Sequence, residues 1–371
     1  MEEASSTPST GNASNDQRVL VTGASGFIAS HCVQQMQAAG YAVRGTVRSL
    51  ANAKKVVPLY QMCPGARHKL ELVEADLLDD QLDNWKEAVS GCTYVLHVAS
   101  PFPNEIPTDE QVLIKPAVEG TLNVLRACAE VGGVKRVVLT SSVAAVVGQT
   151  APDFNKTYSE ADWTDLQQDV GAYQKSKTLA EKAAWDYVNK LPEDKRFELT
   201  TINPSYVMGP VIHGSTGTSQ EVVGRLMRHE VPALPHISLE LCDVRNVAQA
   251  HIRAMTLPAA AGQRFIINSG GMWFKEMATL LDREFRPQGY RVPTLSAPKF
   301  LASIVAWFDK ALQMVMPRWG QQLHFDNSKM KNVLEIQPYP PEKTLLDMAY
   351  SMVDNELIPR TAQYKGQPTA S

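Results

Sequence analysis

The chain has 371 residues, 44% hydrophobic and 20% charged, enough apolar material for a large core. Its formal net charge of -3 excludes a dedicated nucleic-acid binder, because grip on a phosphate backbone needs clustered Lys and Arg. Five scattered cysteines lack a C-x-x-C pair and eight histidines lack an H-x-x-x-H or H-E-x-x-H spacing, so neither a disulfide framework nor a metal is expected, and a reduced, cytoplasmic setting is.

Residues 1–16 are rich in Ser, Thr, Asn and Gly, without the basic start and apolar core of a signal peptide, and read as a disordered tail. Short β-branched runs follow at 18–22, 41–47, 69–75, 94–99, 135–141, 197–203 and 264–268. Helical patterns lie between them at 27–39, 52–60, 111–131, 171–191 and 244–256. Parallel strands need crossover connections, so this alternation predicts an α/β fold: a Rossmann-type, doubly wound parallel sheet covered on both faces.

Two stretches break the rhythm. Residues 206–240 are rich in Gly, Pro and polar side chains, and residues 270–360 read as mainly helical with prolines between segments. Together they are expected to form one smaller region at the carboxyl edge of the strands, where open α/β sheets bind ligands. The apolar stretch 295–319 contains Pro298, Lys299, Asp309, Lys310 and Pro317, and no uncharged run reaches the length of a membrane span. Pro341 opens a last helix striped by Leu345, Met348, Ala349 and Met352. Residues 361–371 read as a second tail.

The first strand runs directly into "GASGFIAS". Gly23 permits a tight turn, Gly26 lets a pyrophosphate approach the backbone, and Ala29 lets the following helix pack closely on the sheet. The helix start then offers free N–H groups and a positive dipole end to the anion. An ordinary strand-to-helix turn is the alternative to dinucleotide binding.

No acidic residue occurs between Asp16 and Glu71, whereas Arg44 and Arg48 on the second strand precede Lys54 and Lys55. A carboxylate there would bind ribose hydroxyls, and an unopposed guanidinium suits a 2′-phosphate instead, so NADP(H) is preferred over NAD. A solvated basic face is the bland alternative.

The fifth strand ends in Ser141 and Ser142, and Tyr173 and Lys177 follow at helical i, i+4 spacing in "GAYQKSKTLAEKAAWDY". Carbonyl reduction needs a proton donor at the developing alkoxide, and a nearby ammonium is expected to lower a tyrosine's pKa toward neutrality. Ser142 would hydrogen-bond the same oxygen.

With these motifs the chain resembles the extended short-chain dehydrogenases/reductases of the NAD-dependent epimerase/dehydratase family, in their dihydroflavonol reductase and cinnamoyl-CoA reductase branch. The resemblance covers roughly 18–268 and rests on "VTGASGFIAS", "VRGTVRS", "EADLLDD", "HVASP", "KPAVEGTLNVLRA", "TSSVAAV", "YQKSKTLAEKAAW" and "INPSYVMGP". It implies a catalytic triad of Ser142, Tyr173 and Lys177, with Lys177 also reaching the nicotinamide ribose. It implies cofactor contacts from Gly23, Ser25, Gly26, Phe27 and Ile28 in the turn, and from Arg48 and Lys55 at the 2′-phosphate. Asp76 and Leu77 would flank the adenine, Val98, Ala99 and Ser100 would line the cofactor, Pro204 and Val207 would meet the nicotinamide, and Ser219 would touch the cofactor further along. Asn123 either supports a proton relay, as in some relatives, or is a structural helix residue.

Departures from the branch bear on substrate. Dihydroflavonol reductases carry Asn or Asp at the position of Val147, which cannot hydrogen-bond, and cinnamoyl-CoA reductases commonly read N-W-Y-C-Y-G-K where this chain reads "DVGAYQKSK". Phe102, Val147, Met208 and Val211 are either apolar pocket walls or packing residues. His97 reads as a core histidine, and His213 as a solvent-facing loop residue. The cluster of Trp307, Phe308, Met314 and Met316 reads as core or pocket roof rather than a membrane anchor.

The expected organisation is a cofactor-binding domain over 17–205 plus 241–269 and a substrate-binding region over 206–240 plus 270–360. The expected activity is NADP(H)-dependent reduction of an aldehyde or ketone with an apolar or aromatic body, by a monomer or homodimer. A 3β-hydroxysteroid dehydrogenase or a sugar-nucleotide epimerase is the alternative within the superfamily, and a non-catalytic NADP(H) sensor is the alternative outside enzymes.

Overall fold

The computed structural model describes residues 17–79, 82–100, 109–214, 217–305, 307 and 316–368. Val19, Leu20 and Val21 are each fully buried, so the first strand, β1 (Arg18–Val21), is covered on both faces. The chain then forms α1 (Phe27–Ala38), β2 (Ala42–Val47), α2 (Ala53–Gln61), β3 (Glu71–Glu74), α3 (Leu82–Val89), β4 (Tyr94–His97), α4 (Gln111–Val131) and β5 (Arg136–Thr140). The two-residue β6 (Thr157–Tyr158), α5 (Ala172–Asn189), β7 (Glu198–Pro204), β8 (Tyr206–Met208), α6 (Thr218–Met227), β9 (Ser238–Asp243) and α7 (Val244–Thr256) come next. After β10 (Arg264–Ile267), β11 (Gly270–Trp273), α8 (Phe274–Phe285), α9 (Lys299–Val305) and β12 (His324–Phe325), the short helix Ser328–Asn332 and the helix Pro341–Asp354 close the fold.

The main sheet has seven parallel strands in the order β10-β7-β5-β4-β1-β2-β3. The chain starts in the middle and builds outward both ways, so the crevice between the carboxyl ends of β1 and β4 is the switch point. Alternation along β1 feeds two cores. Val19 and Val21 pack with Cys32, Met36, Val247 and Met255 of α1 and α7. Leu20 faces the opposite layer, with Trp85, Leu125 and Val188 of α3, α4 and α5.

The sheet is the one the alternation predicts, and the differences lie elsewhere. Helix α3 went unread, because its eight residues show only the short stripe Leu82, Trp85, Ala88 and Val89. The stretches 206–240 and 270–360 contain strands as well as helices: β9 pairs antiparallel with β11 and parallel with β8. Three to six residues hold too few alternations to reveal a strand until its partner is known. One apolar cluster then joins the two pieces, with Met208, Val223, Leu226 and Leu241 against Met277, Phe285, Leu345 and Met348. Tyr364 packs on this cluster too, and its hydroxyl donates to Asp354 at 3.0 Å. Among the described residues, no helix is long and apolar enough to cross a membrane.

Four histidines are buried, and three of them tie stability to pH most strongly. Burial pushes His97 down to about 3, and His31 and His251 down to about 4. In the unfolded chain they titrate near the ordinary value of about 6.5, so below that pH the unfolded state binds more protons and stability falls as pH falls. The slope approaches about 1.4 kcal/mol per pH unit for each histidine until the folded values are reached. Urea midpoints should therefore drop markedly between about pH 7 and pH 5. A midpoint that stayed constant across that window would show these histidines titrating in the fold as they do in the unfolded chain.

Candidate active site

Gly23 adopts a left-handed conformation at φ 65°, and a Cβ there would sit 3.0 Å from the Ala99 Cβ. Both facts require glycine, and the second shows the turn pressed against the exit of β4. The Gly23 N–H donates to Thr46 Oγ1 at 2.9 Å. The Ala99 N–H donates to Thr22 Oγ1 at 2.9 Å, and the same hydroxyl lies 2.9 Å from His97 Nδ1, locking the ends of β1 and β4 together. Gly26 is exposed and stands at the N-cap of α1, with no side chain capping the first-turn N–H groups among the described residues. An uncapped helix start behind an exposed glycine leaves N–H donors free for an anion. Ser25, Phe27 and Ile28 are half-buried around this turn.

The basic residues separate into two kinds. Arg44 is buried, donates to the carbonyls of Glu87, Ala88 and Ser90 at 3.1, 2.9 and 2.8 Å, and pairs with Glu71 at 2.9 Å. It closes the carboxyl end of α3, where free carbonyls and the dipole attract a cation, and so is removed from the phosphate-binding set. Arg48, Lys54 and Lys55 are exposed beyond the end of β2. The Glu74 carboxylate stands at the same edge but accepts the Leu50 N–H at 2.6 Å, so it shapes the turn that carries Arg48. Asp76 and Leu77 follow β3, where Asp76 Oδ1 accepts from the Leu78 N–H at 3.0 Å and the Asp76 carbonyl accepts from Trp85.

Ser142 lies two residues beyond β5 and its hydroxyl accepts the Ala144 N–H at 3.1 Å, starting a short 3-10 turn. Helix α5 brings Tyr173 beside it, with a side-chain hydrogen bond between the two hydroxyls. Gly148 makes this approach possible: a Cβ there would meet Gln174 Cβ at 2.8 Å and the Ala144 carbonyl at 2.9 Å. Lys177 Nζ lies 5.9 Å from the centre of the Tyr173 ring and donates to Ser100 Oγ at 2.9 Å. The fold thus brings Ser100, Ser142, Tyr173 and Lys177 together at the carboxyl ends of β4 and β5.

The electrostatics differ from the expectation. Burial raises the Tyr173 hydroxyl above its ordinary value, with the Ser142 hydrogen bond partly opposing it. Burial lowers Lys177 to about 8, with Glu181 opposing. The ammonium is aimed at Ser100 rather than at the phenol oxygen, so it does not pull the tyrosine down; the phenol keeps its proton at neutral pH.

Val98, Ala99 and Val207 are half-buried near these strand ends, Pro204 is buried at the end of β7, and Ser219 is half-buried in α6. The Asn123 amide donates to the Asp79 carbonyl at 3.2 Å and its oxygen accepts from Arg126 at 3.0 Å, contacts of the kind a structural helix residue makes. His97 is a neutral core histidine. His213 is buried rather than solvent-facing, and burial lowers its pKa. Val147, Met208 and Val211 are at most 4% exposed and belong to packed clusters, so they are packing residues rather than walls of an open pocket. Trp307 is 86% exposed and lies outside the core, while Phe102, Phe308 and Met314 fall outside the described residues.

Sequence reasoning missed a buried group beneath helix α5. Glu181, one turn beyond Lys177, has no exposed side-chain surface and pairs with Arg264 at 2.7 Å. An acidic residue continuing the Tyr173–Lys177 spacing was visible in the chain, but its partner 83 residues away was not.

A glycine turn at the switch point of this sheet, with serine, tyrosine and lysine converging on the neighbouring strand ends, defines the short-chain dehydrogenase/reductase class. The chain belongs to the NAD dependent epimerase/dehydratase family, whose pattern matches residues 19–270, in the dihydroflavonol reductase and cinnamoyl-CoA reductase branch. It is 38% identical to cinnamoyl-CoA reductase CAD2 of Medicago truncatula over 67% of this chain and 75% of that one. It is 37% identical to dihydroflavonol 4-reductase of Zea mays over 76% of this chain and 77% of that one. Yeast methylglyoxal/isovaleraldehyde reductase Gre2, solved with NADPH, superposes at a TM-score of 0.74 with 29% identity, covering 92% of this chain and 99% of that one.

Proposed function

We propose that this protein is an NADP(H)-dependent oxidoreductase that reduces an aldehyde or ketone with an apolar or aromatic body to the alcohol. The observation that carries the reading is the convergence of Ser142, Tyr173 and Lys177 beside the glycine turn. The reductase names of the relatives, and a methylglyoxal/isovaleraldehyde reductase holding NADPH on the same fold, support it.

The chain's residues fit the dinucleotide. The uncapped start of α1 beside exposed Gly26 would hold the pyrophosphate, and exposed Arg48 and Lys55 the adenosine 2′-phosphate. Asp76 and Leu77 would border the adenine. Val98, Ala99, Ser100, Pro204, Val207 and Ser219 would line the path to the nicotinamide, with Lys177 at its ribose. When bound, the cofactor supplies the hydride that reduces the carbonyl carbon.

The protein supplies the proton. Ser142 Oγ and Tyr173 Oη would both donate to the substrate oxygen, orienting it and stabilising the charge it gains. The Tyr173 proton then passes to that oxygen, leaving a phenolate that the Lys177 ammonium would stabilise once turned from Ser100 toward the ribose. A phenol held protonated by burial is ready for this direction, because the proton is present when negative charge develops on the substrate. Alcohol oxidation would use the same groups in reverse.

Purified protein assayed by NADPH absorbance against a panel of aromatic and aliphatic aldehydes and ketones tests the proposal. Turnover with NADPH well above that with NADH is expected. Faster use of NADH would point to a steroid or nucleotide-sugar dehydrogenase, and NADPH binding without any turnover to a sensor.

A further inference from the structure

Glu181 is the most heavily coordinated carboxylate beneath the site. Oε2 accepts from Ser141 Oγ at 2.5 Å and Asn203 Nδ2 at 2.8 Å. Oε1 accepts from Arg264 Nε at 2.7 Å, Thr201 Oγ1 at 3.1 Å and Trp185 Nε1 at 3.3 Å. One side chain on α5 thereby fastens the end of β5, two residues of β7 and the start of β10. The Asn203 amide also donates to the Ser142 carbonyl at 3.1 Å, so the same group reaches the backbone of the proposed catalytic serine.

Helical spacing stacks Tyr173, Lys177 and Glu181 on successive turns of one face. A buried ion pair is a poor device for stability alone, since apolar side chains of similar volume do as well without the desolvation cost. A carboxylate in that position has a further effect. It lies one turn from the half-buried Lys177 ammonium, where attraction between the two charges is less screened than in bulk water.

We infer that Glu181 is a positioning residue for the reaction, holding Ser142 and α5 in register while its charge keeps Lys177 protonated. The inference rests on the Ser142–Tyr173–Lys177 reading above. The titratable and charged groups around the pair are few. His97 faces Lys177 from β4 and is neutral, with its pKa pushed far below the working range. Arg264 faces Glu181 from β10 and stacks 3.8 Å from the Trp163 ring. Two Arg264 Nη1 bonds go to the carbonyls of Glu160 and Asp162, and Lys182 Nζ lies 5.4 Å from the Trp163 ring centre. The attraction of Glu181 opposes the loss of the Lys177 proton on burial.

The full chain and its Glu181→Gln and Glu181→Asp variants should be compared by kcat/KM for NADPH and the best carbonyl of the panel across about pH 6 to 10. Glu181→Gln keeps the shape and loses the charge, so the alkaline limb should move down by about half a pH unit or more. Glu181→Asp restores the charge and should bring the limb back. Equal loss of activity at every pH, with the limb unmoved, would reduce Glu181 to a structural clamp and overturn the inference. If Glu181→Gln yields no folded protein, Arg264→Gln puts the question with opposite sign. Freed of its counter-ion, Glu181 should raise the limb, and a static or lowered limb overturns the inference. A fully active Tyr173→Phe variant would instead sink the underlying reading, so the two failures are distinct.

Discussion

Replacing Tyr173 by Phe is expected to lower kcat by about a hundred- to ten-thousand-fold, the usual contribution of a positioned general acid. The ring stays, so its contacts in the first turn of α5 and the 5.9 Å approach of Lys177 are retained. The hydroxyl goes, and with it the bond to Ser142 and the proton meant for the substrate oxygen. Because that proton moves only as charge develops, kcat and kcat/KM should fall together while NADPH affinity barely changes. Steady-state kinetics combined with NADPH fluorescence titration separates the two quantities. Retained turnover would remove Tyr173 from the chemistry, and lost NADPH binding would assign it to the cofactor site instead.

The second large effect concerns the choice of cofactor. Arg48→Glu should raise the KM for NADPH by roughly ten- to a hundred-fold, since a charge-assisted phosphate contact is lost and a repulsive one gained. The KM for NADH, which has no 2′-phosphate, should stay level or fall. Arg48 is exposed, so the penalty should shrink as salt is added. Arg44 makes the sharp contrast. It is buried on three carbonyls and a carboxylate, and its replacement should cost stability without changing the NADPH to NADH ratio. Equal losses with both cofactors in Arg48→Glu would show that the strand-end arginine holds no 2′-phosphate.

The pair of arginines shows how far the chain itself could be read. Arg44 and Arg48 are four residues apart on one basic run, and nothing in their composition separates them. Their fates part because β2 ends between them at Val47, leaving one side chain against α3 and the other in solvent. The Tyr173–Lys177 pair was legible for the opposite reason: its spacing is local to a single helix. The central sheet was legible too, because a strand buried on both faces must be an apolar run and must alternate with crossover helices. The small strands β8, β9 and β11 were hidden, since each is defined by a partner rather than by its own pattern.

His213 and Val147 follow the same logic. A histidine in a Gly-rich loop looks solvated, and a valine beyond the serine looks like a pocket wall, until distant segments cover them. The local charge states were out of reach as well. Whether burial or a neighbouring ammonium governs Tyr173 depends on where Lys177 points, and Ser100 from β4 decides that.

The sequence by itself determined the doubly wound sheet, the glycine turn and the spacing of tyrosine and lysine, because each is written in contacts within a few residues or in a period of the chain. Tertiary structure alone decided which arginine faces solvent, which histidines are buried, and that Glu181 ties α5 to the neighbouring strands. Those outcomes depend on burial and on partners many residues away, and the energy of a charge is set by what surrounds it rather than by its neighbours in sequence.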